Sequence, residues 1–237
     1  MSIKLLLLSN SKNYGSGFLE HAEQSIKTFL GTTVHDVLFV PFAAVRFSYD
    51  AFAETVRDRF ETMGYGLRSV HEVDDPAGAV RDAAAIAVGG GNTFALLTKL
   101  YETGLLPVIR ERAQSGVPYI GWSAGSNVAC PTIRTTNDMP ILEPPSFEAL
   151  GLIPFQINPH YTDARIAKHS GETRGDRLME FVEANPGVHV VGLREGSALE
   201  VDGAELRLSG NKLLRIFVQG RQPFEVSPGE SLAFLMG

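Results

Sequence analysis

The sequence contains one cysteine, Cys130, among its 237 residues. A single thiol excludes both a disulfide framework and a cysteine metal cluster, and we expect Cys130 to be a small buried residue. Basic residues are also scarce, since 21 Lys and Arg are outnumbered by 27 Asp and Glu and give a net charge of -6. The sequence contains no stripe of clustered Lys and Arg residues, so we expect no nucleic-acid partner.

Long hydrophobic runs are absent as well. The apolar stretch within residues 1–9 is too short to span a membrane. It also lacks the basic region and the small-residue cleavage site of a signal peptide. We therefore expect this stretch to be a buried first strand in a cytoplasmic protein that does not associate with membranes.

What the sequence does contain is an alternation of apolar runs and helix-like segments. Hydrophobic residues make up 44% of the chain and charged residues 20%, which suits one α/β domain over residues 1–237. The alternation predicts a three-layer fold with a mostly parallel sheet covered on both faces. The predicted strands are 3–8, 36–42, 67–73, 84–88 and 117–122, and the predicted helices are 17–30, 49–63, 93–103 and 106–115.

The pattern changes after residue 122. Residues 130–145 are polar and contain prolines, which predicts a loop-rich segment. A strand at 152–157, a helix at 175–185 and a strand at 188–193 are predicted next. The last third has short apolar runs at 198–201, 205–208 and 213–218, separated by the turn signals Asp202-Gly203 and Gly210-Asn211, so we expect antiparallel strands or hairpins there.

The strongest functional signal is the Gly-Trp-Ser-Ala-Gly sequence at residues 121–125, directly after a predicted strand. This is the nucleophile-elbow pattern, in which a serine lies on a tight strand-to-helix turn. The flanking glycines allow backbone to pack on backbone, and the Ala124 amide points toward the space beyond the serine hydroxyl. We interpret Ser123 as the nucleophile of a covalent serine hydrolase.

A serine hydroxyl needs a base within hydrogen-bond reach. Of the six histidines, His160 is the one that follows a predicted strand at the edge where parallel strands end. We therefore predict that His160 is the base.

Two carboxylates qualify as the acid that orients this histidine. Glu195 follows the predicted strand 188–193 and so emerges at the same edge, whereas Asp138 gives the chain order Ser, Asp, His that is seen in α/β-hydrolases. Strand position slightly favours Glu195, and we keep both residues as predictions.

A glycine-rich loop supplies the remaining part of the predicted site. Gly90 and Gly91 follow the strand 84–88, and their amides can complete an oxyanion hole with Ala124. Asn92 ends the loop and is a candidate for substrate binding. The loop matches neither a dinucleotide fingerprint nor a phosphate-binding loop, so no cofactor is expected.

Four arginines lie between the elbow and the last predicted parallel strand: Arg134, Arg165, Arg174 and Arg177. An arginine near Ser123 would select a carboxylate on the substrate. Arg134 and Arg174 are the candidates for this role.

Three stretches, 121–127, 132–140 and 158–161, resemble the peptidase E family of α-aspartyl dipeptidases. The loop 89–93 and the segment 192–197 are also similar, so the resemblance covers essentially the whole chain. The stretch through Met139-Pro140 is highly specific, whereas the elbow alone is not.

This resemblance implies a flavodoxin-like fold of the class I glutamine-amidotransferase type. It also implies cytoplasmic, metal-free hydrolysis of dipeptides with an N-terminal aspartate. Carried over, Ser123 is the nucleophile and His160 the base, while Asp138 and Glu195 both match positions proposed for the third member. Ser126 departs from the pattern, because most members have alanine at this position. The replacement of alanine by serine is a small change.

Other functions share this pattern. A cyanophycinase-like or isoaspartyl hydrolase would use the same elbow and fold, and a non-catalytic binding module could retain the fold alone. A glutamine amidotransferase is disfavoured because its chemistry needs a cysteine at the elbow. The expected partners are small peptide substrates, and we expect a monomer or a homodimer.

Overall fold

The computed structural model describes residues 2–164 and 170–237. Within these residues the strands form two sheets. The first has seven strands in the order β3-β2-β4-β5-β1-β8-β9, and the second has four in the order β11-β10-β7-β6. In the first sheet β3, β2, β4, β5 and β1 are parallel, and β8 and β9 are antiparallel.

The described elements have the following bounds. The strands are β1 Lys4–Leu8, β2 Asp36–Val40, β3 Gly66–Ser69, β4 Ile86–Val88, β5 Tyr119–Trp122, β6 Gln156–Tyr161, β7 Val190–Arg194, β8 Ala198–Asp202, β9 Glu205–Ser209, β10 Leu214–Phe217 and β11 Phe224–Val226. The α-helices are α1 Glu23–Leu30, α2 Tyr49–Thr62, α3 Pro76–Asp82, α4 Thr93–Glu102, α5 Leu105–Gln114, α6 Ala124–Asn127 and α7 Arg174–Ala184. Short 3₁₀ helices lie at Glu20–Ala22, Val70–Glu72 and Ala233–Leu235.

The central strands β1, β2, β4 and β5 of the first sheet are buried on both faces. Alternate residues of a strand point to opposite faces. In β1, Leu5 and Leu7 belong to one hydrophobic cluster, whereas Leu6 and Leu8 belong to another. Because both faces are covered, β1 is a continuous apolar run rather than an alternating one, and the fold has three layers.

The second sheet packs on one side of the first. Ile157 of β6, Val191 of β7 and Ile216 of β10 are part of the same hydrophobic cluster as Leu5 and Leu7. On the other face of this sheet, α7 contributes to a smaller cluster. The C-terminal ends of β6 and β7 carry residues of the predicted site.

The structure confirms the predicted α/β fold with a mostly parallel sheet and antiparallel strands near the C-terminus. Residues 130–145 are confirmed as a segment of loops and turns, and β8 and β9 form an antiparallel hairpin. One expectation was wrong: β6 and β7 do not extend the main parallel sheet but pair with each other in the second one.

Among the described α-helices and strands, two were missed from the sequence. The first, α3, begins at Pro76 after the Asp75 cap, whose side chain accepts from the Gly78 amide. The second, β11, has only three residues and pairs with β10. No helix in the described ranges is both long enough and apolar enough to cross a membrane.

Candidate active site

Ser123 lies on a sharp turn between β5 and α6. Its backbone has φ 53° and ψ -112°, a strained conformation for a residue with a side chain. A Cβ on Gly121 would lie 2.4 Å from the Gly125 oxygen, and a Cβ on Gly125 would lie 2.1 Å from the Val88 oxygen. Both glycines are therefore required sterically, as the elbow pattern predicted.

Ser126, the elbow residue that follows Gly125, is fully buried. Its hydroxyl lies 2.7 Å from the Leu8 carbonyl oxygen and 2.8 Å from the Gly121 carbonyl oxygen. The buried hydroxyl is thus satisfied by backbone acceptors of β1 and β5, and these hydrogen bonds offset the cost of its desolvation.

His160 lies within β6 rather than after it, at an irregularity in the strand. The register between β6 and β7 shifts between Asn158 and Tyr161, and His160 has φ 53°. Such bulges re-aim a side chain. The His160 amide donates to the Ser9 hydroxyl at 2.9 Å, and its carbonyl accepts a hydrogen bond from Arg174.

The structure brings Ser123, His160 and Glu195 into one hydrogen-bonded line. His160 Nε2 lies 2.9 Å from Ser123 Oγ, and His160 Nδ1 lies 2.7 Å from Glu195 Oε1. A carboxylate on Nδ1 fixes the tautomer in which Nε2 can accept the serine proton. The arrangement has the geometry that nucleophilic catalysis by serine requires.

Asp138 makes no hydrogen bond to this histidine. Its Oδ2 accepts from the Thr93 amide at 2.7 Å, the Thr93 hydroxyl at 2.6 Å and the Thr136 hydroxyl at 3.2 Å. Of the two carboxylates predicted for the third position, the structure therefore pairs Glu195 with His160 and places Asp138 at the start of α4.

The glycine-rich loop passes directly beside the elbow. A Cβ on Gly90 would lie 3.0 Å from Ser123 Cβ, and one on Gly91 would lie 2.2 Å from the Ala43 oxygen. In the part of the chain that the structure describes, the amides of Gly90, Gly91 and Ala124 donate to no protein acceptor. These three amides are free to bind a substrate oxygen.

A cavity of about 520 Å³ opens in front of Ser123; we call it the Ser123 cavity. Its lining includes Ser123, His160, Gly90, Gly91, Thr93, Thr136, Asn137, Asp138 and Arg174, together with the aromatic residues Phe18, Phe47, Phe52 and Trp122. The cavity is small and contains both charged and apolar surface.

Arg174 is the arginine that the structure places in this cavity. It is half-buried, and burial is the main cause that lowers the pKa of its guanidinium, with Arg177 lowering it further. Arg174 donates to the His160 carbonyl, but it makes no salt bridge with a described carboxylate. An arginine remains charged even when its pKa falls, so Arg174 is a cation that lines the Ser123 cavity and interacts electrostatically with Glu195 without a salt bridge to it.

The other predicted substrate contacts have different surroundings. Arg134 donates to Asn185 Oδ1 at 2.7 Å, lies over the Phe181 ring and lines a neighbouring cavity instead. Asn92 caps α4, accepting from the Ala95 amide at 3.0 Å and donating to the Met139 carbonyl at 2.9 Å. The structure places neither Arg134 nor Asn92 in the lining of the Ser123 cavity, their substrate-binding roles stay predictions, and Arg165 lies outside the described residues.

Sequence reasoning missed Ser9 and Asn10. The buried Ser9 hydroxyl accepts from the His160 amide and donates to the Leu193 carbonyl at 2.8 Å. Asn10 Oδ1 accepts from the amide of Gly196, beside Glu195, at 2.9 Å. Both follow β1 at the edge where the parallel strands end, which was the one signal that could have identified them.

Cys130 takes no part in this site. It is fully buried, and burial raises the pKa of its thiol to about 12. The thiol stays protonated at neutral pH, in agreement with the prediction of a buried structural residue.

Comparison with known proteins gives the family. The sequence profile of peptidase family S51 matches residues 5–209. The chain is 51% identical over 236 residues to peptidase E of a Nostoc species, covering 100% of this chain and 98% of the relative. It is 48% identical over 235 residues to peptidase E of Streptomyces coelicolor, covering 99% and 95%.

A solved structure supports the fold. The crystal structure of a peptidase from an acI-B1 Actinobacterium superposes with a TM-score of 0.71 at 24% identity, covering 98% of this chain and 97% of the other. The profile match and the full-length relatives together show that this chain belongs to peptidase family S51.

Proposed function

We propose that this protein is a serine-type dipeptidase that hydrolyses dipeptides with an N-terminal aspartate. The observation that carries the proposal is the hydrogen-bonded line from Ser123 through His160 to Glu195. It supplies a nucleophile, a base and an orienting carboxylate at hydrogen-bond distances in a single cavity.

The chemistry follows from these positions. Ser123 Oγ attacks the peptide carbonyl carbon while His160 Nε2 takes the hydroxyl proton, and Glu195 stabilises the resulting imidazolium. The amides of Gly90, Gly91 and Ala124 are the donors for the oxyanion. His160 then gives its proton to the leaving amine, which breaks the peptide bond and leaves an aspartyl ester on Ser123. Water hydrolyses this ester with His160 as the base.

Arg174 supports the preference for aspartate. It is a half-buried cation that forms no salt bridge with a described carboxylate, and it lines the same cavity as Ser123. A substrate β-carboxylate would neutralise it, whereas an apolar side chain would leave it desolvated and unpaired. A polar site of this kind discriminates strongly against substrates that lack the matching group.

The proposal is tested by the hydrolysis of Asp-Leu, N-acetyl-Asp-Leu, β-Asp-Leu and Leu-Leu, each with a chelator present. Wild-type protein, Ser123→Ala and Arg174→Lys are compared. We expect cleavage of Asp-Leu alone, a loss of several orders of magnitude in Ser123→Ala, and a raised KM in Arg174→Lys, because a lysine cannot form the two-pronged contact with a carboxylate.

The other outcomes point to the alternative functions. Preferential cleavage of β-Asp-Leu would assign the site to isoaspartyl or cyanophycinase-like substrates. Failure to cleave any of the four, together with no labelling of Ser123 by a serine-directed phosphonate, would leave only a binding role.

A further inference from the structure

We propose that Arg194 is a positioning residue that fixes the spacing between Glu195 and His160. Its side chain holds the turn that carries Glu195 against the segment that follows His160. Its effect on hydrolysis rests on the proposed function, whereas its effect on the hydrogen bond between the two side chains does not.

Glu195 lies in a tight turn and has little support for its own side chain. The turn, residues 194–197, is closed by a hydrogen bond of 3.2 Å from its last amide to its first carbonyl, and its third residue, Gly196, has φ 83°. The Glu195 side chain is 54% exposed, and its hydrogen bond among the described residues is the one to His160 Nδ1. The direction of this carboxylate is therefore set by the contacts that hold the turn.

Arg194, the first residue of this turn, is held by contacts on several sides. Its guanidinium donates to both carboxylate oxygens of Glu225, at 2.8 and 2.9 Å, and to the Leu213 carbonyl at 2.6 Å. It also donates to Asp163 Oδ2, and it lies over the Tyr161 ring at 5.3 Å from the ring centroid. A two-pronged pair of arginine and carboxylate fixes the direction of the guanidinium as well as its distance.

Two of these contacts come from the chain segment that carries His160. Tyr161 directly follows His160, and it pairs with Arg194 in the register of β6 and β7. The Tyr161 hydroxyl donates to Asp163 Oδ1 at 2.9 Å, so the ring and the carboxylate that meet the guanidinium are joined to each other. This cross-strand contact lies directly beside the pair of His160 and Glu195. Fixing the first contact therefore fixes the spacing of the second.

The charges show that Arg194 acts by position and not by neutralising Glu195. The salt bridges of Arg194 are with Asp163 and Glu225, so the charge of Glu195 remains available to an imidazolium on His160. Burial raises the pKa of the Asp163 carboxyl, but the hydrogen bonds from Arg194 and Tyr161 outweigh it and hold this pKa below its usual value. The link between the two segments is therefore an ion pair at neutral pH.

Arg215 offers a matched control in the same cluster. It lies in β10 and donates to Glu225 Oε1 at 3.0 Å, and its side chain is 29% exposed compared with 18% for Arg194. Its salt bridge among the described residues is with Glu225 and not with Asp163. Arg215→Met thus removes an ion pair of this cluster but leaves the link to the His160 segment in place.

The first measurement is a double-mutant cycle on kcat for Asp-Leu. Arg194→Met keeps an apolar stem but removes the guanidinium, and we expect kcat to fall about tenfold to a hundredfold as the carboxylate moves away from the imidazole. In the Glu195→Gln background the same change should cost less than about twofold, because the group through which Arg194 acts is already lost. Arg215→Met should leave kcat unchanged.

The second measurement follows the hydrogen bond itself by proton NMR. The Nδ1 proton of His160, held by a carboxylate oxygen at 2.7 Å, should give a downfield resonance, and its loss in Glu195→Gln assigns it. In Arg194→Met we expect this resonance to shift upfield or to be lost through exchange with water, while the control variant keeps it. The ring of His71, whose Nε2 lies 2.9 Å from Asp50 Oδ1, is the internal reference and should not change.

A second variant keeps the inference testable if Arg194→Met does not fold. Asp163→Asn removes the charge that joins the two segments, but it retains an oxygen for the Tyr161 hydroxyl and leaves the pair of Arg194 and Glu225 intact. We expect it to lower kcat and to shift the His160 resonance in the same directions as Arg194→Met.

The outcomes that overturn the inference differ from those that overturn the proposed function. Losses of kcat that multiply in the double variant, or equal losses in the two arginine variants, would make Arg194 a purely structural residue. An unchanged His160 resonance in Arg194→Met would lead to the same conclusion even if kcat fell. A wild-type protein that does not cleave Asp-Leu overturns the dipeptidase assignment, and the resonance then decides the positioning role by itself.

Discussion

At the residue scale, Ser123 and His160 share an unusual backbone. In the described residues, only Leu19, Ser123 and His160 have a positive φ without being glycine, and the latter two both have φ 53°. Such conformations cost about 1–3 kcal/mol each and persist only where the surroundings enforce them. Here close glycine contacts enforce one, and the bulge in β6 enforces the other. The strain is located at the two residues whose side chains must meet.

The proposed mechanism gives Glu195 the role of orienting His160 toward Ser123. Glu195→Gln removes the charge that stabilises the imidazolium and allows the wrong histidine tautomer, so we expect kcat for Asp-Leu to fall by about 10²–10⁴ with little change in the melting temperature. Steady-state kinetics and thermal unfolding are the measurements.

The matched control is a second histidine–carboxylate pair elsewhere in the chain. His71 Nε2 lies 2.9 Å from Asp50 Oδ1, while His71 Nδ1 lies 2.7 Å from the hydroxyl of Ser69, which is fully buried and inaccessible to substrate. Asp50→Asn should leave kcat unchanged. Comparable activity in Glu195→Gln and wild type would contradict the assigned role.

At the element scale, the N-terminus of α4 organises one side of the site. The Asn92 side chain caps the helix, and Asp138 accepts from the first helical amide. Helix N-termini leave amides that need acceptors, and a nearby anion is stabilised by the helix dipole. One segment therefore positions both the glycine-rich loop and the Asp138 carboxylate.

The capping role of Asn92 leads to a stability prediction. Asn92→Ala should lower the free energy of unfolding by about 1 kcal/mol, because the Ala95 amide loses its acceptor. Ser48→Ala is the control, since Ser48 caps α2 by accepting from the Ala51 amide at 3.1 Å. Chemical denaturation should show that Asn92→Ala and Ser48→Ala lower the free energy of unfolding by similar amounts. A much larger increase of KM in Asn92→Ala than in Ser48→Ala would instead indicate direct substrate contact.

At the scale of the whole molecule, the site spans two sheets. Ser123 follows β5 of the first sheet, whereas His160 and Glu195 come from β6 and the end of β7 in the second. Their relative position depends on how the sheets pack. Ser9 provides a direct polar link, because its hydroxyl joins the end of β1 to the His160 amide and the Leu193 carbonyl.

Removing this link should lower kcat in addition to the free energy of unfolding. In Ser9→Ala the His160 amide and the Leu193 carbonyl both lose a partner, and we expect kcat to fall about ten- to a hundredfold as the imidazole shifts. Ser69→Ala is the control, since Ser69 is equally buried and bonds a strand carbonyl, Phe39, at 3.3 Å. Ser69→Ala should lower the free energy of unfolding but leave kcat unchanged. Equal kcat in both variants would rule out the positioning role of Ser9.

Much of this architecture could be predicted from local sequence. The parallel strands β1, β2, β4 and β5 are short apolar runs buried on both faces, and the elbow requires two glycines because any Cβ would meet backbone. The short helix α3 and the three-residue β11 escaped prediction because such elements carry too little periodicity.

The sequence by itself determined the fold class, the elbow at Ser123 and the choice of His160, because each depends on a local pattern or on the edge where a strand ends. Only the tertiary structure decided that Glu195 rather than Asp138 contacts His160, that Arg174 rather than Arg134 lines the Ser123 cavity, and that Ser9 links the two sheets. The physical reason is that these contacts join residues far apart in the chain, and their formation depends on how the second sheet packs against the first.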